Sequence, residues 1–168
     1  MAGRQPRAWL FIHTGQNQLP GGGHRNSTEK GRCIIGRPIA TETPAQSGQI
    51  QAERLAASKT FAVETARLLN NTRCHGVVVL DMAGVSPVTD FYVIATGTSA
   101  RQMRSVCDDV DELGEKMGFP SFHRSGYEGE TWIAVDYVDV VVHVFNQEAR
   151  LYYDLENLWG DAKKVEWA

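Results

Sequence analysis

An α/β domain built on a mixed sheet is the fold that this 168-residue chain predicts. Three observations lead there: short β-branched runs bounded by glycine and proline, a helix with an apolar stripe between them, and two closely spaced runs near the C-terminus that must pair antiparallel. Taken in order over residues 52–161, the elements read α-β-β-α-(β)-β-β-α. That order gives a single domain whose sheet has four to five strands, with helices mainly on one face.

The first helix carries Leu55, Phe61, Ala62, Thr65, Ala66, Leu68 and Leu69 along one side and ends near Asn70-Asn71, where asparagine tolerates a left-handed cap. Val77-Val78-Val79-Leu80-Asp81-Met82 is too short for a helix and is flanked by Gly76 and Gly84, so it reads as a buried strand. Thr89 to Thr96 is a second strand, closed by Gly97. The next helix has the clearest signal: Ser99 and Gln102 form a capping box, Met103, Val106, Cys107, Val110, Leu113 and Met117 recur at steps of three and four, and Gly118 and Pro120 end it. Cys107 lies in that stripe and reads as a small packing residue, not a nucleophile.

A short strand at Ser121 to Arg124 precedes the pair Thr131–Asp136 and Asp139–Phe145. With Tyr137 and Val138 as the loop, Ile133 faces Val142 and Val135 faces Val140 on a purely aliphatic side. The other side pairs Trp132 with His143, Ala134 with Val141 and Asp136 with Asp139. Asn146 then caps a terminal helix whose Leu151, Tyr152, Leu155, Leu158 and Trp159 form one apolar face, stopped by Gly160.

Composition bounds the rest. At 42% hydrophobic and 22% charged residues the chain is an ordinary globular one, and no apolar run approaches the ~18 residues of a membrane helix. Three cysteines, Cys33, Cys74 and Cys107, fit free thiols in a reducing compartment, with the cytoplasm favoured over an organelle matrix. The first 57 residues hold seven Lys/Arg against three acids, a net +4, whereas residues 58–168 hold ten against 17, a net −7. Residues 1–51 therefore read as a disordered basic N-terminal extension, favoured over an organellar transit peptide, and residues 162–168 as a C-terminal tail.

Catalytic constellations are missing. There is no Walker loop, dinucleotide fingerprint or G-x-S-x-G elbow. The Gly97-Thr98-Ser99 turn could hold a phosphate, but the same residues cap a helix, and capping is favoured. Cys74-His75 lacks a second pair at zinc spacing. Asp81, Asp90, Asp136 and Asp139 stand at strand ends, as do the metal-binding carboxylates of nucleotidyltransferases, yet the Gly-Ser turn followed by Asp-x-Asp is absent. No catalytic residue, metal or cofactor is expected.

Three stretches carry a resemblance: Asp81-Met82-Ala83-Gly84-Val85-Ser86-Pro87-Val88-Thr89-Asp90-Phe91, Ala95 to Gln102, and the series Glu128-Gly129, Trp132, Asp136, Asp139 to Phe145 and Asp154 to Gly160. Over residues 55–161 the chain resembles the ribosomal silencing factor, or iojap, family, with Val138 where a glycine is common. The resemblance implies a nucleotidyltransferase-like fold without catalytic residues and a non-enzymatic translation regulator. It implies binding to the large ribosomal subunit through ribosomal protein fourteen of that subunit, which hinders joining of the small subunit.

A domain of net −7 suits a basic protein partner better than RNA phosphate, so no sequence-specific nucleic acid contact and no membrane contact is expected. Trp132 is the candidate anchor, with Asp136, Asp139 and Glu128 meeting basic groups and His143 orienting the indole. Gly129, Asp90, Thr98 and Ser99 complete the candidate partner-binding set. The alternative for Trp132 is cover from the chain's own loop at Tyr127 to Glu130. A metal- and nucleotide-dependent nucleotidyltransferase-like enzyme is the rival function, and homodimerisation of the free protein through the sheet edge or face is left open.

Overall fold

The structure, a computed structural model, describes residues 44–168, with side chains described from residue 48. The extension expected over 1–51 lies outside the described residues as far as 43. Residues 44–51 belong to the first helix, α1 (Pro44–Asn71), so the boundary expected at 52 falls inside it. Proline suits the first helical position, and the Gln, Ala, Glu and Arg that follow are good helix formers. Residues 48–57 are all exposed, which is why no apolar period announces this part of α1.

β1 (His75–Asp81), β2 (Phe91–Thr96), α2 (Ala100–Met117), β3 (His123–Ser125), β4 (Trp132–Asp136), β5 (Val140–Phe145), α3 (Gln147–Tyr153), α4 (Leu155–Leu158) and β6 (Lys163–Lys164) follow. They make a six-stranded sheet in the order β3-β4-β5-β2-β1-β6, one strand beyond the expected four to five. β2 and β5 run parallel and every other pair is antiparallel. The sixth strand comes from the expected C-terminal tail. Lys163 and Lys164 pair with Asp81 and Leu80, and Val165 and Trp167 pack on the core, their alternation with Lys164 and Glu166 being that of an extended strand.

α1 and α2 cover one face, burying Phe61, Ala66, Leu69, Met103, Val106 and Val110 against Val93, Ile133, Val135, Val142 and Val144. α2 begins on its expected cap, with the Gln102 N–H donating to Ser99 Oγ at 3.2 Å, and ends on left-handed Gly118. The Gln102 amide oxygen accepts from Thr98 N at 2.9 Å, one residue before the usual capping-box partner. α1 ends at Asn71 as expected, but the left-handed residue after it is Arg73.

Two further readings change. The β4–β5 loop is Val138-Asp139, not Tyr137-Val138: Val138 turns left-handed at φ 72°, Tyr137 N donates to Val140 O at 2.9 Å, and Trp132 faces Phe145 instead of His143. A shift by two keeps the side chains of Trp132–Asp136 and Val140–Phe145 on their expected faces and puts Asp139 in the loop. The terminal helix is not continuous. Asp154 takes a left-handed conformation (φ 39°, ψ 56°) that splits it into α3 and α4. As a result Leu151 is 71% exposed and Tyr152 82%, while Leu155 is buried.

Candidate functional site

The face opposite α1 and α2 is only partly covered. Leu80, Met82, Tyr92, Ile94, Val141 and Phe145 form a second, smaller core there, closed by Ala149 of α3 and Leu155 of α4. At its edge Trp132 starts β4, half-buried, with its ring stacked on Phe145 at 4.9 Å and against Tyr153 at 4.8 Å. Its indole N–H donates to His143 Nδ1 at 3.3 Å. His143 is 3% exposed and meets Tyr92 edge to face at 4.9 Å. Because Nδ1 accepts, the neutral ring carries its proton on Nε2, which has no hydrogen-bond partner among the described residues. Burial pushes the imidazole pKa down to about 3, so it stays neutral at physiological pH. His143 thus fixes the indole through a neutral hydrogen bond.

From Trp132 the surface continues outward over α3 and α4. Tyr153 touches Trp132, Tyr152 stands edge-on to Tyr153 at 5.1 Å, and Leu151 and Leu158 are exposed beyond them. Exposed Glu148 and Asp154 lie on the same segments, and exposed Glu128 and Glu130 on the loop before Trp132. The loop carrying Glu128 and Gly129 is held in place. Gly126 sits at φ 74°, where a Cβ would collide with the Trp132 carbonyl. Arg104 donates to the Tyr127 and Gly129 carbonyls at 2.9 and 3.3 Å, and Asn146 donates to Thr131 and Glu130. Tyr127 packs toward the helix-covered core and its hydroxyl donates to Asp108, so that ring does not cap Trp132.

The nine expected partner-binding residues do not form one cluster. Trp132 and His143 come together, Glu128 and Gly129 sit in the loop that leads into β4, and Thr98 and Ser99 follow β2 at the same end of the sheet, occupied with the α2 cap. Asp136, Asp139 and Asp90 lie at the other end, about 13 Å away along β4 at ~3.3 Å per residue. Asp136 caps its own turn, accepting from Val138 N at 2.7 Å. Asp139, expected to meet a partner's basic groups, points to α1 and takes both arms of the Arg54 guanidinium, with Ser58 also donating to it. The loop shift is the reason, since it takes Asp139 out of the strand alternation.

Asp90 carries a cost. Burial first, and then the charge of Asp139, hold its carboxyl above the usual range, with Arg54 working against them. A carboxyl raised in the folded state destabilises the fold wherever it is ionised, and that penalty fades as pH falls through its folded value. Asp90→Asn is therefore expected to raise the melting temperature at pH 7 and to give no gain near pH 3, as thermal melts at the two pH values would show.

The residues that sequence reasoning missed are Leu151, Tyr152 and Leu158, whose spacing put them on the apolar face of the terminal helix, and Tyr153, which it left out of that face. Asp154 was the available signal, since aspartate is among the residues that tolerate the left-handed region. Among the described residues no group of three or more His, Cys, Asp or Glu is placed to hold a metal, and no helix is long and apolar enough to cross a membrane. Cys74 and Cys107 are buried thiols; burial raises both, Cys107 to about 12, which keeps them protonated.

Residues 56–168 match the family model described as ribosomal silencing factor during starvation. The ribosomal silencing factor RsfS of Halalkalibacterium halodurans is 38% identical over 98 residues, 58% of this chain and 84% of the relative. The chloroplastic protein Iojap of Arabidopsis thaliana is 28% identical over 131 residues, 78% of this chain and 55% of the relative. A crystal structure of a Chromobacterium violaceum protein superposes with a TM-score of 0.57 at 30% identity, covering 68% of this chain and 92% of that one.

Proposed function

Since this chain belongs to the ribosomal silencing factor family, we propose that it binds the large ribosomal subunit through ribosomal protein fourteen of that subunit, blocks joining of the small subunit by occupying its place, and so represses translation. The single observation that carries the docking surface is the apolar strip from half-buried Trp132 across Tyr153 and Tyr152 to Leu151, whose three aromatic rings touch in series, whereas exposed Phe122, Val88 and Val138 stand singly on loops. An exposed apolar patch with a polar rim is the usual form of a protein contact, with an aromatic anchor at its centre. The carboxylates around it favour a basic partner and speed encounter.

Mechanism then needs occupancy alone. Trp132 is held by Phe145 and His143, so little ordering is required when a partner closes over it. Relatives named as silencing factors, not as enzymes, support a regulator without turnover. The site is read as cofactor-free, its place as the cytoplasm, with an organelle matrix the alternative that the chloroplastic Iojap relatives raise. RNA as the main partner is disfavoured by the net −7 of residues 58–168.

Co-sedimentation with purified large subunits tests the reading. The chain is expected to travel with them, and isolated ribosomal protein fourteen is expected to compete it off. Binding that survives saturating competitor, or that appears equally on protein-stripped ribosomal RNA, would reject the proposed partner.

A further inference from the structure

Leu151 and Tyr152 are exposed on α3, which ends where the chain turns left-handed at Asp154. In an uninterrupted helix Leu151 would share a side with Leu155 and Leu158, at steps of four and seven, and that side would face the sheet. One side chain spans the turn. Arg150 is 13% exposed, and all five of its N–H donors are engaged. Nε and Nη2 grip the Glu156 carboxylate at 3.3 and 2.7 Å, spanning the break from α3 to α4. Nη1 donates to Thr96 Oγ1 at 2.8 Å and to the His75 carbonyl at 3.3 Å, and Nη2 donates to the Gly76 carbonyl at 2.6 Å.

Those carbonyls face Arg150 because β1 bulges there. Gly76 and Val77 together oppose the single residue Ala95 of β2, and Gly76 sits at φ 56°. A Cβ at Gly76 would stand 2.9 Å from Arg150 Nη1, so the bulge also makes room for the guanidinium. The bulge, the end of β2 and the broken helix therefore meet at one fork.

We propose that Arg150 and Glu156 are positioning residues for the docking surface: they lock the left-handed break at Asp154 and thereby keep Leu151 and Tyr152 turned outward, without touching the partner themselves. This rests on the reading of that surface as the ribosomal contact. Lysine cannot replace Arg150, because a point charge with three donors cannot grip a carboxylate in a fork and two carbonyls at once.

The test uses the full chain carrying Glu156→Gln or Arg150→Lys, with Lys116→Met on the far helix pair as control. Backbone hydrogen exchange and affinity for purified large subunits are measured side by side. Both variants should speed exchange at the Asp154 and Leu158 amides, which bond on either side of the break to the Arg150 and Asp154 carbonyls, and leave strand amides such as Val93 and Val142 unchanged. Kd should rise at least tenfold in both, and stay as in the parent in the control. Faster exchange with unchanged Kd would overturn the positioning role, and unchanged exchange would overturn the lock. Failure of the parent chain to bind would instead reject the docking reading, together with the purpose given to the break, while the exchange data would still report on the lock.

Discussion

Trp132→Ala is expected to weaken binding to the large subunit by at least ~2 kcal/mol, about thirtyfold in Kd, as removal of a central aromatic anchor does. The indole is half-buried, with one side on Phe145 and Tyr153 and its N–H on His143. Truncation removes the ring and leaves His143 Nδ1 as a buried acceptor without a donor, at a cost to stability of ~1–3 kcal/mol. Trp132→Phe separates the two effects. It keeps a ring on Phe145 and loses the same hydrogen bond, so it should melt above the alanine variant and below the parent, and bind several-fold more tightly than the alanine variant. Equal binding by all three proteins in titration against large subunits would remove Trp132 from the interface.

Acid is expected to destabilise the domain through His143. The buried imidazole has its folded pKa near 3 because of burial, while an unfolded histidine titrates near 6.5. Between those values the unfolded chain binds more protons than the folded one, so stability falls as pH drops below about 6.5, by ~1.4 kcal/mol per unit once well below it. At pH 5 that amounts to roughly 2 kcal/mol from this residue alone. Urea melts of His143→Leu between pH 7 and pH 5 should lack this slope, even if the variant starts less stable at pH 7. A parallel slope in parent and variant would show that His143 is not the group responsible.

What could be read from the sequence follows the strength of local signals. α2 carries a cap, a stripe and a stop, and all three appear where Ser99, the Met103 to Met117 series and Gly118 place them. The β4 and β5 faces were legible because alternation survives a change of loop, whereas the loop itself depended on Val138, a β-branched residue in a left-handed turn that no propensity favours. The first turns of α1 and the last strand were hidden for opposite reasons. Residues 48–57 of the former are all exposed, and the latter is two residues of ladder followed by Val165 and Trp167 as its apolar signal.

For the site, Trp132 and His143 could be placed on one face from strand parity. Asp139 could not be excluded without knowing that Arg54, 85 positions earlier, reaches it. Leu151 and Tyr152 were misplaced because helical spacing alone cannot show a break whose lock draws on β1, β2 and α4 at once. Such long-range polar nodes leave no periodic trace.

Subunit reassociation followed by light scattering addresses occupancy most directly. Large subunits preincubated with a saturating excess of the chain should fail to form full ribosomes when small subunits and magnesium are added, and the Trp132→Ala variant should restore assembly at the same concentration. Full ribosomes forming at the same rate and extent with the parent chain bound would contradict the account.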